Sequence, residues 1–148
     1  MLPTFVATYQ HALDDKGRLS IPRKFLEVLE SRREDQLWAF PGVRKFVLLY
    51  PLAEYQAYRE RVERTPMEPA EADSFERFLC SQTKVLQVDK PGRILLPREF
   101  RELAEIDDQV VLVGARDHIE LWSPANWSEQ LGQDRDRYQQ KAASIVRA

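Results

Sequence analysis

Two aspartate–arginine pairs carry the chemistry available to this chain. Asp14 and Arg18 lie four residues apart in "LDDKGRLSIPRKF", and Asp89 and Arg93 lie four apart in "VDKPGRILLPREF". An aspartate at such a place accepts hydrogen bonds from backbone N–H groups two residues on, and Gly17 or Gly92 permits the positive φ of a tight bend. An arginine fork can in turn engage the N7 and O6 of guanine bidentately. Each bend also carries a lysine, Lys16 in the first and Lys90 in the second. That exceeds what one turn tie needs, and lysine suits phosphate, which positions a protein without reading sequence. Two uses of the arginines stay open: tying the turn through the aspartate, or contacting DNA with an orientation that the aspartate fixes beforehand. Where the first bend has Lys16 the second has Pro91, so the first is the stronger candidate.

Arg23 and Arg98 follow the matched Pro22 and Pro97 and fall in the first turn of a helix. A cation there opposes the helix dipole, which leaves a phosphate contact, an intersubunit ion pair or a solvated charge. The remaining reactive side chains form no site. His11 and His118 are the only histidines and Cys80 the only cysteine, so no metal-ligand spacing exists and no cofactor is expected. His11 near Asp14 and Ser20 lacks the nucleophile elbow and oxyanion loop of a triad, and no Walker or dinucleotide fingerprint occurs. No enzyme or small-molecule substrate is implied.

The bends must be held by something, and the chain writes that something twice. With an offset of 75, Asp14, Gly17, Arg18, Pro22, Arg23 and Phe25 match Asp89, Gly92, Arg93, Pro97, Arg98 and Phe100. Later the offset is 72: Gly42, Arg44, Leu49, Tyr50 and Tyr55 match Gly114, Arg116, Leu121, Trp122 and Trp127. The first copy thus holds three extra residues. Each copy reads as strand, hairpin turn, strand, short helix, strand, strand, helix. Period two places Leu19 and Ile21 on one strand face and Arg18 and Ser20 on the other. A copy of about fifty residues is marginal as a core by itself. Leu95, opposite in face to Ile94 and Leu96, is expected to pack beyond its own unit, most simply on the other copy. This predicts one pseudo-twofold body with units at 5–54 and 83–127, a helical connector at 55–82 and a polar helical tail at 128–148. Phe75, Phe78 and Leu79 mark an apolar stripe on the connector, with Cys80 a buried thiol after it. The matched Tyr50, Tyr55, Trp122 and Trp127 are expected in the core.

Composition sets the outer limits. With 148 residues, 43% hydrophobic and 31% charged, the chain is globular in type, and its formal net charge of −2 argues against a general polyanion binder but leaves DNA binding through a few concentrated basic loops open. No apolar run suits a membrane span, and the start lacks the features of a secretory signal. A lone cysteine suits a reducing cytoplasm.

The doubled "DDKGRLSIPRKF" and "DKPGRILLPREF", with "GVRKFVLLYPLAEY" and "GARDHIELWSPANW" after them, resemble the tandem motifs of the MraZ family of bacterial transcriptional regulators, whose units belong to the SpoVT/AbrB swapped-hairpin superfamily. The resemblance covers about Phe5 to Trp127. It departs at Ala7, where the family commonly has glycine, and at Leu26, where an arginine commonly follows the phenylalanine. It implies a mainly β fold with short helices (α+β): intertwined-hairpin β-barrel units in a homo-oligomeric ring, associated with the nucleoid. The implied partner is double-stranded DNA, as direct repeats upstream of the protein's own gene and the division and cell-wall cluster. The alternative is a protein-interaction module of the same fold, an antitoxin-like partner whose basic tips hold protein instead of DNA.

Overall fold

A computed structural model describes residues 4–147. Its elements run β1 (Thr8–Ala12), β2 (Arg18–Ser20), α1 (Arg23–Ser31), β3 (Gln36–Pro41), β4 (Val47–Tyr50), α2 (Leu52–Arg64), α3 (Pro69–Gln82), β5 (Lys84–Gln87), β6 (Arg93–Leu95), α4 (Arg98–Leu103), β7 (Gln109–Gly114), β8 (Ile119–Trp122) and α5 (Pro124–Arg147). The fold is α+β, with an antiparallel six-stranded sheet ordered β1-β7-β8-β4-β3-β5 and a separate β2-β6 ribbon.

The two copies are interleaved. The bend after β1 is real: Gly17 donates to the Asp14 carbonyl at 3.0 Å and Asp14 to the Arg18 carbonyl at 3.0 Å. Yet β1 and β2 do not continue as one hairpin ladder. Strand β1 pairs with β7 of the second copy, β5 pairs with β3 of the first, and β2 pairs with β6. Beyond the bends, each outgoing strand finds the opposite tip: Ile21 donates to the Gly92 carbonyl and Leu96 to the Gly17 carbonyl, both at 2.9 Å. The ribbon register, Arg18↔Leu95, Leu19↔Ile94 and Ser20↔Arg93, maps onto itself when the copies are exchanged. So does Val47↔Leu121 with Leu49↔Ile119 at the centre of the sheet.

Alternation along the strands makes the core. Leu19, Ile94, Ile21 and Leu96 from the ribbon segments meet Leu37, Ala39, Val47, Leu49, Leu112, Ile119 and Leu121 from the sheet, and Phe25, Leu29 and Phe100 of α1 and α4 join them. Each such valine, leucine, isoleucine or phenylalanine side chain, fully withdrawn from water, contributes roughly 1.5–3 kcal/mol. The sheet's other face is covered twice. Phe40, Tyr50, Tyr55 and Leu79 cluster under α2 and α3, while Phe46, Val111 and Trp122 pack with Trp127 of α5. Ser123 starts α5 as expected, its Oγ accepting from the Asn126 N–H at 3.1 Å ahead of Pro124 in the first turn.

The three extra residues of the first copy form an additional turn of α1. That helix has nine residues against six in α4, and the matched left-handed residues that end the two, Arg33 (φ 55°) and Glu105 (φ 56°), are 72 apart. Ala7 also lies in the left-handed region, at φ 76°, where its carbonyl accepts from Gly114 at 2.8 Å. A Cβ on Gly114 would approach the Val6 nitrogen to 2.6 Å, so backbone must sit on backbone here. The glycine of the resembling family suits that conformation better than alanine.

Two expectations need correction. Leu95 does not pack on the other copy; only its backbone pairs there, and the residue is 60% exposed, with none of the described residues covering it. Cys80 is exposed, since Leu79 is the residue of α3 turned onto the sheet; Phe78 likewise points away.

Candidate nucleic-acid interface

The two bends and the ribbon between them form one surface. In the first bend Asp14 uses both carboxylate oxygens. Oδ1 accepts from the backbone N–H of Lys16 at 2.9 Å and of Arg18 at 2.8 Å, and Oδ2 accepts from Arg18 Nε at 2.7 Å. The second bend repeats this: Asp89 Oδ1 accepts from the Arg93 N–H at 2.8 Å and Oδ2 from Arg93 Nε at 3.0 Å. The backbone N–H of each arginine, foremost, holds its aspartate below the ordinary carboxylate range. Gly17 and Gly92 carry the positive φ, 77° and 91°.

Both arginines tie their turns through the aspartates, yet the tie uses only part of each guanidinium. The aspartate takes Nε alone. No hydrogen bond of Nη1 or Nη2 is formed by Arg18 or Arg93 among the described residues, and the side chains stay 33% and 29% exposed. Each guanidinium is therefore oriented at one edge and open at the end that makes a two-pronged contact. Lys16 and Lys90 are exposed at the tips and form no ion pair among the described residues. Arg23 and Arg98 lie at the rim, 70% and 82% exposed, with loose ties to carboxylates of their own helices: Arg23 to Glu30 at 3.5 Å, Arg98 to Glu102 at 3.5 Å. Such exposed pairs hold little.

Arg101 is the residue that motif reading did not name. The copies being interleaved, α4 of the second copy lies over the first tip, and a Cβ on Gly17 would stand 3.8 Å from the Arg101 guanidinium carbon. Its Nε is buried without a hydrogen-bond partner. The signal was the offset of 75, which matches Arg101 with Leu26; Leu26 correspondingly packs over Gly92. The second tip also shares a cleft with Glu30, Glu34 and Asp35, so its cations stand among carboxylates.

The histidines lie apart from this chemistry. His11 Nδ1 contacts the backbone carbonyl of Ser20 at 2.6 Å, not its hydroxyl, so it activates no nucleophile. His118 contacts Asp117 through Nδ1 at 2.7 Å and Glu120 through Nε2 at 3.0 Å, and stacks on Tyr50 at 4.7 Å between centroids. No group of three or more metal-ligating side chains occurs among the described residues, and no helix there is long and apolar enough to cross a membrane.

Comparison with known proteins agrees with the doubled architecture. A family model described as "MraZ protein, putative antitoxin-like" matches twice, over residues 4–78 and 79–147. A protein of Desulfitobacterium hafniense (strain Y51) named transcriptional regulator MraZ is 38% identical over 142 residues, 96% of each chain. The proteins of that name from Thermomicrobium roseum and Moorella thermoacetica are 35% identical over 126 residues (85% of this chain, 86% of theirs) and 34% identical over 142 (96% of each). These are names of a regulator, not of an enzyme. With both halves matched and relatives aligned over nearly their full length, the chain belongs to the MraZ family of transcriptional regulators.

Proposed function

We propose that this chain regulates transcription by binding double-stranded DNA sequence-specifically through the β2-β6 ribbon and its bends, at direct repeats upstream of its own gene and the division and cell-wall cluster. The observation that carries the reading is the half-used guanidinium of Arg18 and of Arg93, fixed by aspartate through Nε and open at Nη1 and Nη2. A two-stranded ribbon fits the major groove, and an end-on fork there meets guanine O6 and N7. Lys16, Lys90, Arg23, Arg98 and Arg101 stand around it for phosphates, while Asp14, Gly17, Asp89 and Gly92 shape the turns. One such surface neutralises few phosphates. Several copies in a homo-oligomeric ring, each engaging one repeat, raise affinity through effective concentration. The chain then works on the nucleoid.

The test is a gel-shift titration with the DNA upstream of the chain's own gene, across a salt series, comparing wild type with Arg18→Ala and Arg93→Ala. Arg18→Ala is expected to weaken binding about 5- to 150-fold, the loss of one bidentate base contact, and Arg93→Ala by less. Circular dichroism should show both variants folded. Unchanged binding in both variants, or loss of fold together with binding, overturns the reading.

A further inference from the structure

The four outward residues of the ribbon are Arg18 and Ser20 on β2 and Arg93 and Leu95 on β6. No carboxylate is among them. Copy exchange converts Arg18 into Arg93, but it converts Ser20 into Leu95, so the ribbon's one asymmetry on this face is a hydroxyl at one end and an isobutyl group at the other. Leu95 is 60% exposed beside two arginines, Arg18 opposite it and Arg93 two residues before it, and nothing else in the described chain covers it. Water is a poor environment for that group, and a duplex groove lined by phosphates is what the two flanking cations attract.

We propose that Leu95 is a specificity-determining residue that contacts the C5-methyl of a thymine beside the guanine engaged by Arg18, and that it gives the binding site a direction. This rests on the DNA-binding reading above. The register sets Leu95 directly opposite Arg18, and directly opposed side chains on a ribbon have Cβ atoms about 4.5–5.5 Å apart. A fork on a guanine therefore brings the leucine to the same or the next base pair. In the major groove thymine alone among the four bases offers an apolar group, its methyl, and an aliphatic side chain is its complement. Ser20, opposite Arg93, accepts any base edge. One end of the ribbon thus requires a methyl and the other does not. An exactly twofold ribbon would read a site equally in both orientations; this one does not, and copies facing one way around an assembly meet repeats running one way.

The experiment replaces thymine by deoxyuridine, one position at a time, in the duplex upstream of the chain's own gene, a change that deletes only the methyl. Wild-type affinity is expected to fall about fourfold at one position per repeat, the effect of one buried methyl, and to be unchanged elsewhere. Leu95→Ser should lose about the same factor on thymine DNA and show no further loss with deoxyuridine at that position, the signature of two groups in contact. Tight binding with no sensitive position, or equal sensitivity in Leu95→Ser, overturns the inference and leaves DNA binding standing. A flat scan together with a changed oligomeric state of Leu95→Ser by light scattering also overturns it, placing a second copy over Leu95. No binding of either protein to this DNA removes both readings.

Discussion

The two bends share everything that makes them bends and differ in almost everything that surrounds them. Both have aspartate closing onto arginine through the same pair of contacts, and both have a glycine at positive φ. Outside that frame, Asp15 and Lys16 of the first correspond to Lys90 and Pro91 of the second, and Arg101 over the first corresponds to Leu26 over the second. Within the loops the first bend is formally neutral, from Asp14, Asp15, Lys16 and Arg18, and the second carries one net positive charge from Asp89, Lys90 and Arg93. Arg101 compensates the first bend from the opposite copy. Turn geometry tolerates little, because one φ and one carboxylate decide it. Charge is set by summation over neighbours and can be supplied from anywhere the fold brings close.

The largest expected difference between the bends is steric. A Cβ on Gly92 would fall 2.5 Å from Leu26 Cδ1, whereas at Gly17 its nearest neighbours are at 3.8 Å. Gly17→Ala should destabilise by about 1–2 kcal/mol from the left-handed backbone alone, and Gly92→Ala by about 3 kcal/mol through added overpacking, read from urea midpoints. Adding Leu26→Ala should recover part of the Gly92→Ala loss; equal losses at the two glycines would erase the distinction.

Charge comes next. Arg101→Leu should reduce the log–log salt slope of DNA binding by about 0.9 and Leu26→Arg should increase it by about 0.9, one phosphate contact in each direction. Slopes unmoved by both changes would mean that neither helix reaches a phosphate.

The smallest effect is one of pH. At the offset of 72, Phe46 and Leu48 of the first copy correspond to His118 and Glu120 of the second. Burial opposes a charge on His118, but the hydrogen bonds its ring donates to Glu120 and Asp117 outweigh it and raise its pKa above the usual 6.5. Tyr50 beneath it, pushed up to about 12 chiefly by burial, stays neutral. A group whose pKa is higher folded than unfolded stabilises fully below its unfolded value. Stability from His118 is therefore present below about pH 6.5 and lost as pH rises through its folded value. His118→Phe should flatten that decline in thermal melts between pH 6 and 9; an equal decline in both proteins would exclude His118 as its source.

How much of this was legible beforehand depended on whether a property is local. Asp14, Gly17, Arg18 and their matches announce a bend because turn chemistry involves only neighbours in sequence, and the core positions Phe25, Leu29 and Phe100 follow from helical spacing. Strand pairing is different. The apolar alternation of β1 is equally satisfied by β2 or by β7, so the swap came from resemblance to a family, not from periodicity. Arg101 escaped for the same reason, since it belongs to the first bend only once the copies interleave. Leu95 misled because an apolar side chain on a strand implies cover, and Cys80 because its neighbour Leu79 takes the buried position.

The long reach of the β1-β7 pairing has a consequence for how the molecule comes into being. Thr8 is registered with Val113, 105 residues later. At roughly 5–20 residues per second of synthesis, the first strand waits about 5–20 s on the ribosome before its partner exists. Such distant pairing slows the search for the native state as well. Throughout that delay the nascent amino-terminal half has a strand edge with no mate, and a neighbouring nascent chain of the same message can offer one.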